Sequence, residues 1–487
     1  MGASSKEENG ELEAVTSRRG GKDNAPSLSW FYGEKIKADV DVAVKVDARL
    51  LYRWAGYYWD AQTEAREERR ALQWVEGIAP NKTTAALAKE LAKTAVLAAR
   101  AIPDRSSERV CIPLKNVYLH LEEQVIPPGE VEDDEGSIQQ LAGGIFHTFA
   151  VGSPAREEWM TYGIDCALND AEPGKFYEPS VKLADTHFGR FLETCQPDAA
   201  VRSLIQEYIG YTLLPDTRHQ RCQLWTGEGQ NGKSILTRVT AALHRKTASI
   251  DLDRLDGFSL EDLIDASLVI CDEAPTALKA SDRLKKILSG ESVKIDRKFQ
   301  TVISTAITAK WIICTNHKLK VSDQTTGFWR RIVTIPWDVQ VPDDKIIVNL
   351  DRLIIDKELD VVLEWALEGL LRLLDRGRFP EEPEAVRNLK DEIRTATDSV
   401  RSWFKDVEPT VDARYETPKD VIYKHYDQWC FESGHHPVAK NKFFERLFQV
   451  LPEARAGEKQ KRTGGSCWRI LPVRLDKKET DSSTDWN

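Results

Sequence analysis

A chain of 487 residues, 41% hydrophobic and 30% charged, has room for two to four domains and the composition of a soluble globular protein. A formal net charge of −10 excludes a general positive coat, so any nucleic-acid contact must be local, in a channel or on one small domain. No apolar run approaches the length of a membrane span and no apolar leader opens the chain, which predicts a cytoplasmic protein, and eight scattered cysteines without a C-x-x-C pair fit a reducing compartment.

Residues 1–26 are small and polar and read as a disordered tail. Residues 27–215 read as a mixed α/β, mostly helical N-terminal domain. Within it, residues 50–59 (Leu-Leu-Tyr-Arg-Trp-Ala-Gly-Tyr-Tyr-Trp) predict an aromatic hairpin turning at Gly56. Its aromatics read as core in preference to a base-stacking platform. Residues 64–76 and 83–101 have helical spacing, and 111–121 reads as one strand. Residues 127–135 form an acidic loop, and 187–195 and 199–214 read as helices. Asp39 and Asp41 have the look of a primase metal pair, but no histidine or third acid stands near them.

Residues 216–340 carry the chemistry. Cys222-Gln-Leu-Trp-Thr226 predicts a strand running into Gly227-Glu-Gly-Gln-Asn-Gly-Lys-Ser234, which fits G-x-x-x-x-G-K-S. Gly227, Gly229 and Gly232 let the backbone curl, so that successive N–H groups face one hollow suited to phosphate oxygens. The following helix dipole adds to that attraction. Asn231 belongs to the same loop, Lys233 would reach the β- and γ-phosphates of ATP, and Ser234 would ligate Mg²⁺. About 40 residues on, the apolar run Ser267–Cys271 suits a strand buried on both faces. It ends in Asp272, a second Mg²⁺ ligand, and Glu273, which would polarise the attacking water. Lys310–Thr315 predicts a third buried strand, with Asn316 at its end able to hydrogen-bond the γ-phosphate. Arg330 and Arg331 follow among bulky apolar residues, and a guanidinium suits a charge-dispersed phosphoryl transition state. Between these motifs, residues 293–300 alternate like a hairpin. Lys294, Arg297 and Lys298 make it locally basic and able to track a phosphate backbone.

Residues 341–400 read as a helical linker or lid. Residues 401–475 read as a compact domain of two helices and a basic hairpin, the plan of a winged helix that can dock on a duplex. Lys440, Lys442 and Arg446 are placed on its exposed face by spacing, and Lys461 and Arg462 lie in the hairpin. Residues 476–487 read as a second disordered tail.

Taken together, Gly227–Ser234, Val269–Pro275, Thr315–His317 and Gly327–Ile332 resemble the motifs of superfamily III DNA helicases, in the phage, plasmid and poxvirus primase-helicase group. The resemblance implies an α/β protein with an AAA+ P-loop ATPase core, a collar or oligomerisation domain before it and a winged-helix-like domain after it. It also implies a homo-hexamer translocating on single-stranded or forked DNA in a bacterial host. ATP would lie between copies, with Arg331, and second Arg330, as the finger reaching the next pocket. The hairpin holding Arg297 and Lys298 matches the pore hairpin of that group. Relatives often carry a primase domain upstream, so priming here would fall to a separate protein or to a part of a longer chain. The rival reading is an ATP-switched origin-binding initiator that separates no strands.

Overall fold

The computed structural model describes residues 26–475, apart from 104–109, 127–128, 133–137, 142–143, 253–254, 256, 279–281, 298–301, 319, 322 and 464–465. Both predicted tails lie outside the described residues, save Pro26. No described helix is long and apolar enough to cross a membrane.

The N-terminal part begins with helix Leu28–Ala38, capped where the Ser27 hydroxyl accepts from the Trp30 amide. Strands Val42–Lys45, Leu50–Trp54, Trp59–Ala61 and Arg100–Ala101 form one sheet. Helices Glu64–Ile78 and Ala85–Ala98 lie in sequence between its last two strands. The aromatic hairpin is present and turns at Gly56, whose φ of 97° favours glycine. Tyr52 and Trp59 are fully buried, so those rings are core.

Residues 111–177 hold more strand than a mostly helical domain would. Cys111–Pro113, Tyr118–Ile126, Gly144–Gly152 and Phe176–Tyr177 make an antiparallel sheet. The single strand expected over 111–121 is therefore two, with the chain reversing at Leu114–Val117. The expected acidic loop contains a short strand, Gly129–Glu132, paired with Ile138–Leu141. Alternation in these segments is short, and cross-strand partners far away in sequence decided the outcome.

The centre of the molecule is a five-stranded parallel sheet. Its strands in chain order are β1 (Cys222–Thr226), β2 (Thr247–Ser249), β3 (Leu268–Cys271), then, after a hairpin of β4 (Ser292–Ile295) and β5 (Ile303–Ala306), β6 (Lys310–Thr315) and β7 (Ile332–Pro336). Their spatial order is β2-β3-β6-β1-β7. Successive residues of a strand face opposite sides. Accordingly Trp225, Ile312 and Val333 enter one hydrophobic core while Leu224, Ile313 and Ile332 enter another. Helices His187–Cys195, Ala199–Thr212 and Leu359–Arg376 share the first core, so residues 187–214 pack with the parallel sheet and also with residues 110–177, whose Ile112, Leu119, Phe149 and Ile164 enter the same core. Two glycines let two of these helices meet closely: a Cβ on Gly210 would stand 2.3 Å from Ala366 O.

His244, at the end of the helix that follows the P-loop, is fully buried between Thr212 Oγ1 (3.0 Å) and Ser267 Oγ (2.9 Å). Burial, aided by the Lys310 charge, pushes its pKa down to about 3. The unfolded chain therefore binds a proton that the fold does not, between about pH 6.5 and pH 3, and stability falls as pH drops through that window. Urea unfolding at a series of pH values should show this loss. His244→Gln should flatten the slope by up to about 1.4 kcal/mol per pH unit.

The C-terminal part has helices Ser399–Val407, Lys419–Glu432 and Lys440–Val450, followed by the antiparallel hairpin Lys459–Thr463 and Ser466–Leu471. Tyr426 and Phe443 stack at its centre, and Trp403 meets both edge-on.

Candidate nucleotide and DNA site

The loop after β1 turns sharply for visible reasons. Gly227 passes so close to the segment after β7 that a Cβ would stand 2.1 Å from Trp337 O and 2.7 Å from Asn231 Nδ2. Gly232 has φ 91°, and its Cβ would meet Phe191 and Cys195 at 2.8 and 2.6 Å. Lys233–Leu243 (α1) starts directly after it, so the first free amides of that helix face the loop's hollow. Gly227→Ala should shift the loop and weaken binding of a fluorescent ATP analogue at least about tenfold, while far-UV circular dichroism stays unchanged.

Lys233 is buried, and its ammonium donates to Gly227 O (2.6 Å), Glu228 O (3.2 Å) and Asn231 Oδ1 (3.1 Å). Burial lowers its pKa from the usual lysine range. These three acceptors hold the amine over the hollow, from which it can turn to a phosphate oxygen. Asn231 holds the loop together. Its amide is buried and donates to Glu228 O and, at 2.8 Å, to Trp337 O, while its oxygen accepts from Lys233. It braces the loop, and it also lines the cavity beside it.

Parallel pairing brings the other predicted groups to the same edge. Thr226 lies opposite Thr315, so Gly227 and Asn316 leave their strands level with each other. Cys271 lies opposite Ile313, which sets Asp272 and Glu273 beside the end of β6. The ladder continues past the strands, with Gly227 N donating to Thr315 O (3.3 Å) and Ala274 N to Cys314 O (2.9 Å). Ser234, Asp272, Glu273 and Asn316 are all exposed there. This edge, at the carboxyl ends of parallel strands, is where α/β sheets take ligands.

Two hollows flank it. A cavity of about 520 Å³ is walled by residues 229–235 on one side and by Phe191, Cys195, Ile347 and Leu350 on the other. Its size suits a nucleotide-sized ligand. Away from the glycines, Phe191, Ile347 and Leu350 give it an apolar stretch, with His187, Arg190 and Lys345 also on its wall. None of those four wall residues was legible beforehand, because they come from a helix before the loop and a turn more than a hundred residues after it. A larger cleft of about 1920 Å³ opens on the other side of Gly227 and Asn316, bounded by Leu389, Arg401 and Phe404. The residues fit Mg²⁺ and a triphosphate: oxygen donors at Ser234 and Asp272 stand exposed beside a loop of inward amides.

The two arginines separate. Arg331 is buried, and its guanidinium donates to Ser289 Oγ (2.6 and 3.1 Å), Gln220 Oε1 (3.1 Å) and Gly327 O. Every nitrogen is engaged within its own chain. Burial next to Arg330 lowers its pKa from the ordinary arginine range. Arg330, one residue earlier, is exposed. Arg331 is thus an anchor within its own chain, and Arg330 is the exposed one of the two.

The basic positions divide likewise. The predicted hairpin exists as β4 and β5, and Lys294 is exposed on it. Arg297 is buried, donating to Ala48 O (2.8 Å) and Glu261 Oε1 (3.1 Å), so it fastens the hairpin to the N-terminal unit and is not presented to a phosphate. Lys298 lies outside the described residues. Lys440 and Lys442 are exposed, Lys440 pairing with Asp420. Arg446 is half-buried, tied at 3.1 Å to buried Asp398, which caps helix Ser399–Val407. The side chains of Lys461 and Arg462 lie outside the described residues.

Residues 225–331, from the P-loop strand to the anchoring arginine, match a family described as "Family of unknown function (DUF5906)". Residues 398–479 match a family described as "Poxvirus D5 protein-like". The second match supports the coarse placement in a phage and poxvirus primase-helicase group. Among solved structures, the chain is similar to the apo structure of the NrS-1 C terminal region, at 13% identity and a TM-score of 0.49, over 92% of this chain and 100% of that one. The A form apo structure of the same region gives 13% and 0.47 with the same coverage. Overlap at that level carries no functional weight.

Proposed function

We propose that the chain is an ATP-driven replicative DNA helicase of a phage, plasmid or mobile element, working as a homo-hexameric ring on single-stranded or forked DNA. The observation that carries this reading is the meeting of Lys233, Ser234, Asp272, Glu273 and Asn316 at one edge of a parallel sheet. It supports an AAA+ core of the superfamily III type. The glycine loop and Lys233 cradle the phosphates, and the apolar wall receives the base. Ser234 and Asp272 would hold Mg²⁺, which when bound neutralises charge on the phosphate oxygens. Glu273 accepts the proton of the attacking water, and Asn316 orients that water against the γ-phosphate. Arg330 of a neighbouring copy completes the pocket. Lys294 and Lys298 follow the DNA backbone from the hairpin, with Lys440, Lys442, Lys461 and Arg462 as further contacts on a winged-helix-like domain.

Steady-state ATPase with and without poly(dT) at low salt, alongside unwinding of a forked duplex, tests this. The expected result is DNA-stimulated hydrolysis and strand separation, with Lys298→Ala keeping ATPase and losing unwinding. Hydrolysis indifferent to DNA would contradict the reading, and tight sequence-specific duplex binding without separation would favour the initiator.

A further inference from the structure

Helix Asp282–Leu288 (α2) runs straight into the DNA hairpin, and the join is stiff. Gly290 N donates to Ile287 O (2.9 Å) and Glu291 N to Lys286 O (3.0 Å), the paired bonds of a glycine-terminated helix end. Gly290 has φ 73°, and a Cβ there would strike Thr217 Oγ1 at 2.2 Å. Arg283 donates to Lys294 O, fixing the helix to the first hairpin strand. The segment bearing Arg330 touches this unit twice. Arg331 grips Ser289, the last residue before Gly290, while holding Gly327 O on the finger's own turn. Lys285 pairs with Asp323 Oδ2 at 2.9 Å, and Asp323 in turn fixes the start of that turn by accepting from Thr325 N at 2.8 Å. Between the two straps, Leu284, Ile287, Val293, Phe328 and Trp329 share one core.

We propose that Arg331–Ser289 and Asp323–Lys285 join the finger turn to the base of the hairpin, so that Arg330 engaging a neighbour's nucleotide sets the position of the hairpin in its own copy. This rests on the ring-helicase reading. Ser289, Lys285 and Asp323 are positioning residues in it, none of them touching nucleotide. The strap is polar and short, and a packed core transmits a displacement instead of absorbing it. The arrangement answers how hydrolysis in one copy's pocket moves DNA held by the next.

The test compares Ser289→Ala, Asp323→Asn and Ser289→Thr with the unaltered full chain, reading basal ATPase, poly(dT) stimulation and forked-duplex unwinding. Expected: Ser289→Ala and Asp323→Asn keep basal ATPase within about twofold but lose about fivefold or more in stimulation and unwinding. Ser289→Thr, which keeps the hydroxyl, behaves as the unaltered chain. A merely structural role would lower basal ATPase and stimulation together, and that result overturns the proposal. So does normal unwinding by both Ser289→Ala and Asp323→Asn. Should Ser289→Ala melt early, Asp323→Asn, in the other strap of the same junction, decides alone. An unaltered chain that ignores DNA would instead reject the functional reading itself.

Discussion

Arg330→Ala lowers ATP turnover by about 10³–10⁵-fold, the range over which a guanidinium supplied to a phosphoryl transition state acts. Nucleotide affinity of the isolated chain stays unchanged, because Arg330 stands away from its own glycine loop and is exposed. Arg331→Ala behaves otherwise. It leaves Ser289, Gln220 and Gly327 without their donor in a site that is largely closed to water. The loss there is one of folding stability, about 1–3 kcal/mol for the unmet groups, visible as an earlier thermal transition before any kinetics are measured. Single-turnover hydrolysis and a melting curve on both variants separate the roles. A collapse of turnover in Arg331→Lys with an unchanged melt, and a neutral Arg330→Ala, would restore the order expected from sequence.

Lys233→Ala removes the only buried ammonium the loop holds among its described residues, and with it the charge that meets the β- and γ-phosphates. Turnover should drop by about 10²–10³-fold or more, as for removal of a preorganised electrostatic group. Unwinding should vanish with it. The fold survives, since the amine's present partners are two carbonyls and the Asn231 oxygen at the rim of an open cavity, where water can replace it. ATPase and forked-duplex assays beside a melting curve check the three parts. Residual turnover within tenfold of the unaltered chain would mean that chemistry happens elsewhere.

The nucleotide edge was readable because its signals are local. Gly227, Lys233 and Ser234 sit in one loop, and the acids and Asn316 each end a continuous apolar run. Parallel pairing then brings three strand ends to one edge without further instruction. Long helices were readable for the same reason: residues 341–400 read as helical and hold helices Leu359–Arg376 and Glu384–Thr397. What could not be read were facts fixed by distant partners. Arg331 looks free in a Trp-Arg-Arg run, yet Ser289 and Gln220, 42 and 111 residues away, claim it. Arg297 looks like part of a basic tip, but Ala48, 249 residues earlier, holds it. That Asn231 also braces the loop rests on Trp337 O, 106 residues away. Of the strands over residues 111–152 only the stretch 111–121 was legible, as one strand instead of two, because pleated alternation in short segments depends on cross-strand neighbours.

Mixing two inactive variants tests the shared pocket most directly. Lys233→Ala has a spent loop but an intact Arg330, and Arg330→Ala the reverse. If one copy's arginine completes the next copy's site, co-assembled one-to-one mixtures regain ATPase, up to about a quarter of the unaltered rate, because about a quarter of random interfaces pair a sound loop with a sound arginine. Mixtures that co-assemble yet stay silent, or an unaltered chain that hydrolyses ATP at full rate as a single copy, would contradict the account.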